Sequence, residues 1–185
     1  MPEERVDKEA LLKRIVEIEL GMFERVRAAE PTRCQERPEA FKAMRTMTHS
    51  ALSAETLAAY LEDLEKALAE GRNFMTLKYA RMEGKIGPLK ENPLIQEIVQ
   101  IEQRWMSDLA RRYPHVITGG PGFAPYLSAE LETYSDKTLE YYFRDVSQAA
   151  AEGRNLAEER YDYLFHRIGY GSIAEAEERA RKADR

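Results

Sequence analysis

Residues 55–82 read ETLAAYLEDLEKALAEGRNFMTLKYARM, and residues 137–164 read KTLEYYFRDVSQAAAEGRNLAEERYDYL. At an offset of 82 the two stretches agree at 11 of 28 positions, including Thr56/Thr138, Tyr60/Tyr142, Asp63/Asp145 and Tyr79/Tyr161, and the block AEGRN is unbroken in both. Shared helical patterning matches leucine with leucine. It does not reproduce a Gly-Arg-Asn corner, so the chain reads as an internal duplication. Upstream, IVEIELGMFERV (15–26) matches IVQIEQRWMSDL (98–109) at an offset of 83, and Phe41/Phe123 and Ser53/Ser135 return to 82. The single slipped residue falls in a loop, where length is free to change.

Each copy reads as four helices. The first spans roughly 8–29 and again 93–112, where Asn92 caps and Pro93 takes the first helical position. A loop at 30–37 or 113–121 leads to a short helix near 38–48 or 123–132. Ser53 and Ser135 then cap a longer helix with the stripe Leu57, Tyr60, Leu61, Leu64, Leu68. Gly71 and Gly153 end it, and Asn73 and Asn155 start the next, with Glu158 three residues on in a box-like pattern. A continuous helix through each glycine is the competing reading. Ser172 caps a charged C-terminal helix with no counterpart in the first copy. The expected fold is therefore all-α. Two tandem four-helix units, 1–89 and 90–171, pack as one pseudo-twofold helical domain, and residues 172–185 are added to it.

Composition narrows the function. A 43% hydrophobic fraction in 185 residues supports a real core, and 33% charged residues suit long solvated helix faces. A net charge of −5 argues against a nucleic-acid surface, which needs a basic stripe. No apolar run approaches the length of a membrane span. The lone Cys34 rules out an internal disulfide framework and a cysteine metal site, and it fits a reducing compartment. The expectation is a soluble cytoplasmic protein with no nucleic-acid or membrane partner; a homo-oligomer is compatible with all of this.

The first helix of each copy carries the most informative residue. Leu12, Ile15, Val16, Met22, Phe23 and Val26 stand at −7, −4, −3, +3, +4 and +7 from Glu19, so this glutamate lies in the middle of the apolar stripe. Ile95, Ile98, Val99, Trp105, Met106 and Leu109 stand the same way about Glu102. A buried carboxylate needs a cation, hydrogen-bond donors or a metal. Arg72 and Arg154, duplicated alongside, are the expected bidentate partners, within a copy or across copies. Duplicated ion pairs that only fix helix register are the plainer explanation.

Other motifs carry less. Arg45, in the pair Met44-Arg45, has Leu127 at the equivalent position, as expected where one copy keeps a binding group. Cys34, in the pair Cys34-Gln35, would need His49 or His115 to act as a nucleophile. No histidine follows a glutamate by three residues, so a di-metal carboxylate bundle is not indicated. Gly119-Gly120-Pro121-Gly122 lacks the strand and lysine of a phosphate loop. No metal and no cofactor is expected.

The combination of EIELGMF, Cys34-Gln35, Ala43-Met44-Arg45, YLEDLEKALAEGRN and LKYARM resembles the bacterial domain-of-unknown-function family numbered four thousand one hundred and twenty-five. The resemblance runs to about residue 170. It implies a stand-alone cytoplasmic bacterial protein and carries over no activity, cofactor or catalytic residue.

Two functional readings follow. In the first, an enzyme or binding protein takes a small polar metabolite in a pocket between the copies, walled by Trp105, Tyr79 and Tyr161. Arg45, Arg72 and Arg154 bind its anionic group, Asn73 and Asn155 join the binding set, and Glu19 or Glu102 binds an amine or acts as general base. In the second, the chain is a structural or protein-interaction module whose buried Glu–Arg networks serve stability alone. A concave pocket favours the first, and an exposed apolar patch favours the second.

Overall fold

The computed structural model describes residues 7–26 and 37–184. These residues form α-helices only, in the order α1 (Lys8–Glu24), α2 (Pro38–Ser50), α3 (Ala54–Ala69), α4 (Phe74–Met82), α5 (Pro93–Arg112), α6 (Phe123–Leu131), α7 (Asp136–Ala151), α8 (Leu156–Arg167) and α9 (Ile173–Ala183). Among the described residues no helix is long and apolar enough to cross a membrane. Cys34 and Gln35 lie outside the described residues.

Local chemistry sets the helix ends. Ser53 and Ser135 accept from the amides of Thr56 and Thr138, each at 3.2 Å. Gly71 and Gly153 take left-handed φ values of +69° and +72°, which a side chain would resist. The amides of Arg72 and Arg154 then reach back to Ala67 O and Ala149 O at 2.8 Å, so each helix stops at its glycine and does not run on. Asn73 and Asn155 cap α4 and α8 and also donate to Met22 O and Trp105 O, which fixes each corner to the first helix of its half. Glu158 does not complete a capping box. Its carboxylate turns to Arg112, which donates to both oxygens at 2.9 and 2.7 Å. Leu68, expected in the apolar stripe, is 39% exposed, because it stands with the half-buried Leu61 at the edge of the stripe that buries Leu57, Tyr60, Leu64 and Ala67.

In the first half α1 packs on α2, α3 and α4; in the second α5 packs on α6, α7 and α8. The halves meet through α3·α7, α4·α6 and α2·α8. One core cluster runs across this junction, from Ile15, Met22 and Leu57 to Ile98, Leu139 and Val146. A smaller cluster of Met106, Leu109, Ile117 and Ala157 is covered by Ile173 of α9, which packs on α8.

Two hydrogen-bonded crossings tie the halves reciprocally. Asp145 accepts from Ser53 N at 2.8 Å and Thr56 Oγ1 at 2.6 Å. Asp63 accepts from Ser135 N at 2.9 Å and Thr138 Oγ1 at 2.6 Å. Each carboxylate thus supports the start of the other half's long helix. Asp63→Ala and Asp145→Ala are each expected to lower unfolding free energy by about 1–2 kcal/mol, the usual range for a lost helix-start acceptor. Urea denaturation measures this, and a cost above about 0.5 kcal/mol in only one variant would contradict equal roles.

Candidate functional site

The described residues bury a network of ionised side chains where α1, α2, α4 and α6 meet. Arg45 on α2 is at its centre. Its Nε and Nη2 donate to the two oxygens of Glu19 on α1 at 2.9 and 2.7 Å, and its Nη1 and Nη2 donate to those of Glu130 on α6 at 3.0 and 2.8 Å. Tyr60 Oη donates to Glu19 at 2.8 Å, and His49 Nε2 lies 3.0 Å from the same oxygen. Glu130 accepts further bonds from Lys78 Nζ at 3.1 Å and Tyr134 Oη at 3.0 Å. Lys78 also donates to Tyr126 Oη at 2.9 Å, and its ammonium lies 4.3 Å from the centre of that ring. Glu19, Arg45, His49, Lys78 and Glu130 are all buried.

Two carboxylates face the cations of Arg45 and Lys78, so these four charges are balanced. Burial alone would raise the Glu19 pKa. Arg45 and His49 beside it outweigh burial and bring it from 4.5 down to about 2. Glu130 is likewise held well below the ordinary carboxylate range, with Arg45 and Lys78 outweighing desolvation. Burial pushes the Lys78 ammonium toward neutrality, and Glu130 more than restores it. Both glutamates are therefore ionised and fully occupied by donors.

The second half holds a smaller version. Arg160 on α8 donates from Nη1 and Nη2 to the two oxygens of Glu102 on α5, each at 2.7 Å, and Tyr142 Oη donates to Glu102 at 3.0 Å. Tyrosines connect the two networks. Tyr60 and Tyr134 have ring centres 4.4 Å apart, and Tyr134 and Tyr142 are 6.4 Å apart.

The glutamates have partners other than those expected. Glu19 pairs with Arg45 and Glu102 with Arg160, not with Arg72 or Arg154. Arg72 bonds Glu70 at the surface, and Arg154 bonds Glu152 and Glu159. The cause is local. Each arginine directly follows the left-handed glycine that ends a helix, so its side chain leaves the corner outward while the asparagine beside it points in. Tyr79 lies beside Phe23, Tyr161 beside Phe165, and Trp105 is packed against both core clusters. Sequence reading missed Lys78, Arg160, Glu130 and Tyr134, and took His49 only as a partner for Cys34.

One signal for the missed cations was present. At an offset of 82 Lys78 falls on Arg160, each three or four residues after the buried starts Phe74-Met75 and Leu156-Ala157. A matched cation on an apolar stripe is the complement of a matched carboxylate on one. The two cations differ in partner, and at the same offset Leu127 stands against Arg45. With no arginine there, Arg160 takes Glu102. With Arg45 on Glu19, Lys78 goes to Glu130.

A groove of about 670 Å³ opens between α1, α2 and α8. Its lining includes Leu12, Lys13, Val16 and Glu17 of α1, Lys42, Ala43 and Thr46 of α2, and Tyr163 and Arg167 of α8. None of the residues expected to bind or act on a ligand lines it. It lies beside the junction of α2 with α8, where no side-chain hydrogen bond or ion pair joins the two helices among the described residues. The α4–α6 junction is closed by Lys78–Tyr126, Lys78–Glu130 and Arg81–Glu132. At the corresponding offset Arg81 becomes Tyr163 and Glu132 becomes Ser50, so no such bridge spans the α2–α8 side.

Residues 9–178 match the family model described as Protein of unknown function (DUF4125), and the chain belongs to that family. No curated protein and no solved structure matches it.

The depressed carboxyl of Glu19 has a consequence for acid stability. A group whose pKa falls from 4.5 to about 2 on folding contributes stability that is full above pH 4.5 and lost as pH falls toward 2. Glu130 acts in the same direction. Glu19→Gln is expected to cost stability at neutral pH and to flatten the decline in urea midpoint between about pH 5 and pH 3. A variant that kept the wild-type acid slope would show that Glu19 is not ionised in the fold.

Proposed function

We propose that the protein binds a small polar metabolite in the groove between α1, α2 and α8, and that the buried charge networks hold the groove's walls. One observation carries this reading. The three helices that wall the groove are those that carry Glu19, Arg45 and Arg160, and each presents one face to a network and a neighbouring face to the groove. On α1, Val16 and Glu17 precede Glu19; on α2, Lys42, Ala43 and Thr46 flank Arg45; on α8, Tyr163 follows Arg160 by three residues. Glu19 and Glu102 then work as positioning residues for the walls. Ligand contact passes from the arginines, asparagines and aromatics named from sequence to the groove's own lining.

The same reading takes residues 1–89 and 90–171 as two copies of one unit about a pseudo-twofold axis, with 172–185 appended. The reciprocal Asp63 and Asp145 contacts support it, as do the crossed packings α4·α6 and α2·α8. The groove is what remains where the copies differ. A volume of about 670 Å³ lies within the usual range of small-molecule sites. Among the described residues the large exposed apolar side chains Met44, Leu68, Met82, Leu89 and Ile168 belong to five segments, which disfavours a single partner-docking patch. The closed Glu102–Arg160–Tyr142 triad favours the second reading, in which the networks serve stability alone.

A thermal-shift screen of amino acids, amines and organic acids tests the proposal. At least one class is expected to raise the melting temperature by about 5 °C at saturating concentration. Ala43→Trp fills the groove from an exposed position and is expected to abolish the shift while leaving the unliganded melting temperature close to wild type. If no class shifts the wild type, or if Ala43→Trp responds equally, the groove reading fails and the stability reading takes its place.

A further inference from the structure

The charges in the groove divide into those already matched and those left over. Lys42 is matched by Glu39 at 2.8 Å, while Asp7 caps α1 by accepting from Glu9 N, which leaves its charge without a cation among the described residues. Five lining charges have no ion-pair partner among the described residues: Asp7 at the start of α1, Glu9, Lys13 and Glu17 on α1, and Arg167 on α8. Glu9, Lys13 and Glu17 recur every four residues and so share one stripe of the helix. The α1 wall is therefore net negative by two charges. The facing α8 wall carries the unmatched Arg167 cation.

Arg167 is also held in place. Its Nη1 donates to Tyr163 Oη at 3.1 Å, and its guanidinium lies 5.6 Å from the centre of the Tyr163 ring. Both contacts use the same tyrosine, which itself lines the groove. One N–H is committed and the remaining ones are free to take a carboxylate, the anion a guanidinium binds with two parallel hydrogen bonds. On the α1 side Glu9 and Glu17 lie one helical turn either side of Lys13, so an ammonium seated there meets two carboxylates and one cation.

From this arrangement we propose that the ligand of the groove is a zwitterion, a small molecule carrying one carboxylate and one ammonium. The carboxylate seats on Arg167 and the ammonium on Glu17 or Glu9. This inference rests on the groove reading above and narrows it to one chemical class. A simple anion would satisfy the α8 wall and leave the α1 excess unmatched. A simple amine would do the reverse. A molecule with both charges meets a complement on each wall and bridges α1 to α8, across the junction where no protein side-chain bridge stands among the described residues.

Isothermal titration calorimetry of the whole chain with a series of ω-amino carboxylates of increasing length, and with the matching monocarboxylates and monoamines, tests the class. At least one ω-amino carboxylate is expected to bind about tenfold or more tighter than its matching acid and amine. Arg167→Gln is expected to reduce its affinity to about that of the amine, and the double variant Glu9→Gln/Glu17→Gln to about that of the acid. All three residues are exposed and outside the buried networks, and near-wild-type melting temperatures for both variants confirm folding. Equal affinity for a zwitterion and its matching acid or amine would overturn the zwitterion, as would unchanged affinity in either variant. If Ala43→Trp still blocked that binding, the groove would stand and only the ligand class would fall. If no probe bound and the wider screen were also silent, the groove itself would fall.

Discussion

The guanidinium of Arg45, held between the carboxylates of Glu19 and Glu130, is the constraint on which the junction of the two halves depends. It joins α1, α2 and α6 through four donor–acceptor contacts in a space where water does not compete. Helix packing through apolar side chains tolerates sliding, because one methyl contact resembles the next. A guanidinium fork meeting two carboxylates does not. Its geometry sets both the spacing of α1 from α2 and their placement against α6. Tyr60, Tyr134 and Lys78 satisfy the remaining oxygen lone pairs, so neither carboxylate is left as an uncompensated buried charge.

The second half achieves the same local satisfaction with fewer parts. Glu102 needs only Arg160 and Tyr142, and that triad stays within its own half. The difference begins at position 45, where one half has arginine and the other, at position 127, leucine. Lys78 bonds Glu130, and with Arg81–Glu132 it bridges the α4–α6 side. Among the described residues the α2–α8 side has no such bridge, and the groove lies there. Among the described residues, one seam is thus bridged by side chains and the other is not.

Much of the fold was legible from the chain. Ser53, Ser135, Asn73, Asn155, Gly71 and Gly153 act at helix ends through contacts of their own side chain or backbone within a few residues. The burial of Glu19 and Glu102 was legible too, because helical periodicity fixes which face a residue occupies. Their partners were not. Arg72 and Arg154 recur at the same sequence offset as the glutamates, but a matched offset carries no information on distance in space. Lys78 and Arg160 satisfied the stripe criterion and could have been found by it. Glu130 has Thr48 at its counterpart, so no repeat marked it, and Arg45 drew attention only as a mismatch. The groove could not be read at all, since a concavity depends on how three helices from two halves come together.

A double-mutant cycle between Arg45 and Glu130 measures the central contact directly. Arg45→Met and Glu130→Gln are each expected to cost about 3–5 kcal/mol of unfolding free energy, since each strands a buried charge. The double variant strands less, and its cost is expected to fall short of the sum by about 2 kcal/mol or more. Additivity within about 0.5 kcal/mol would contradict the account, because the two side chains would then be holding their helices independently.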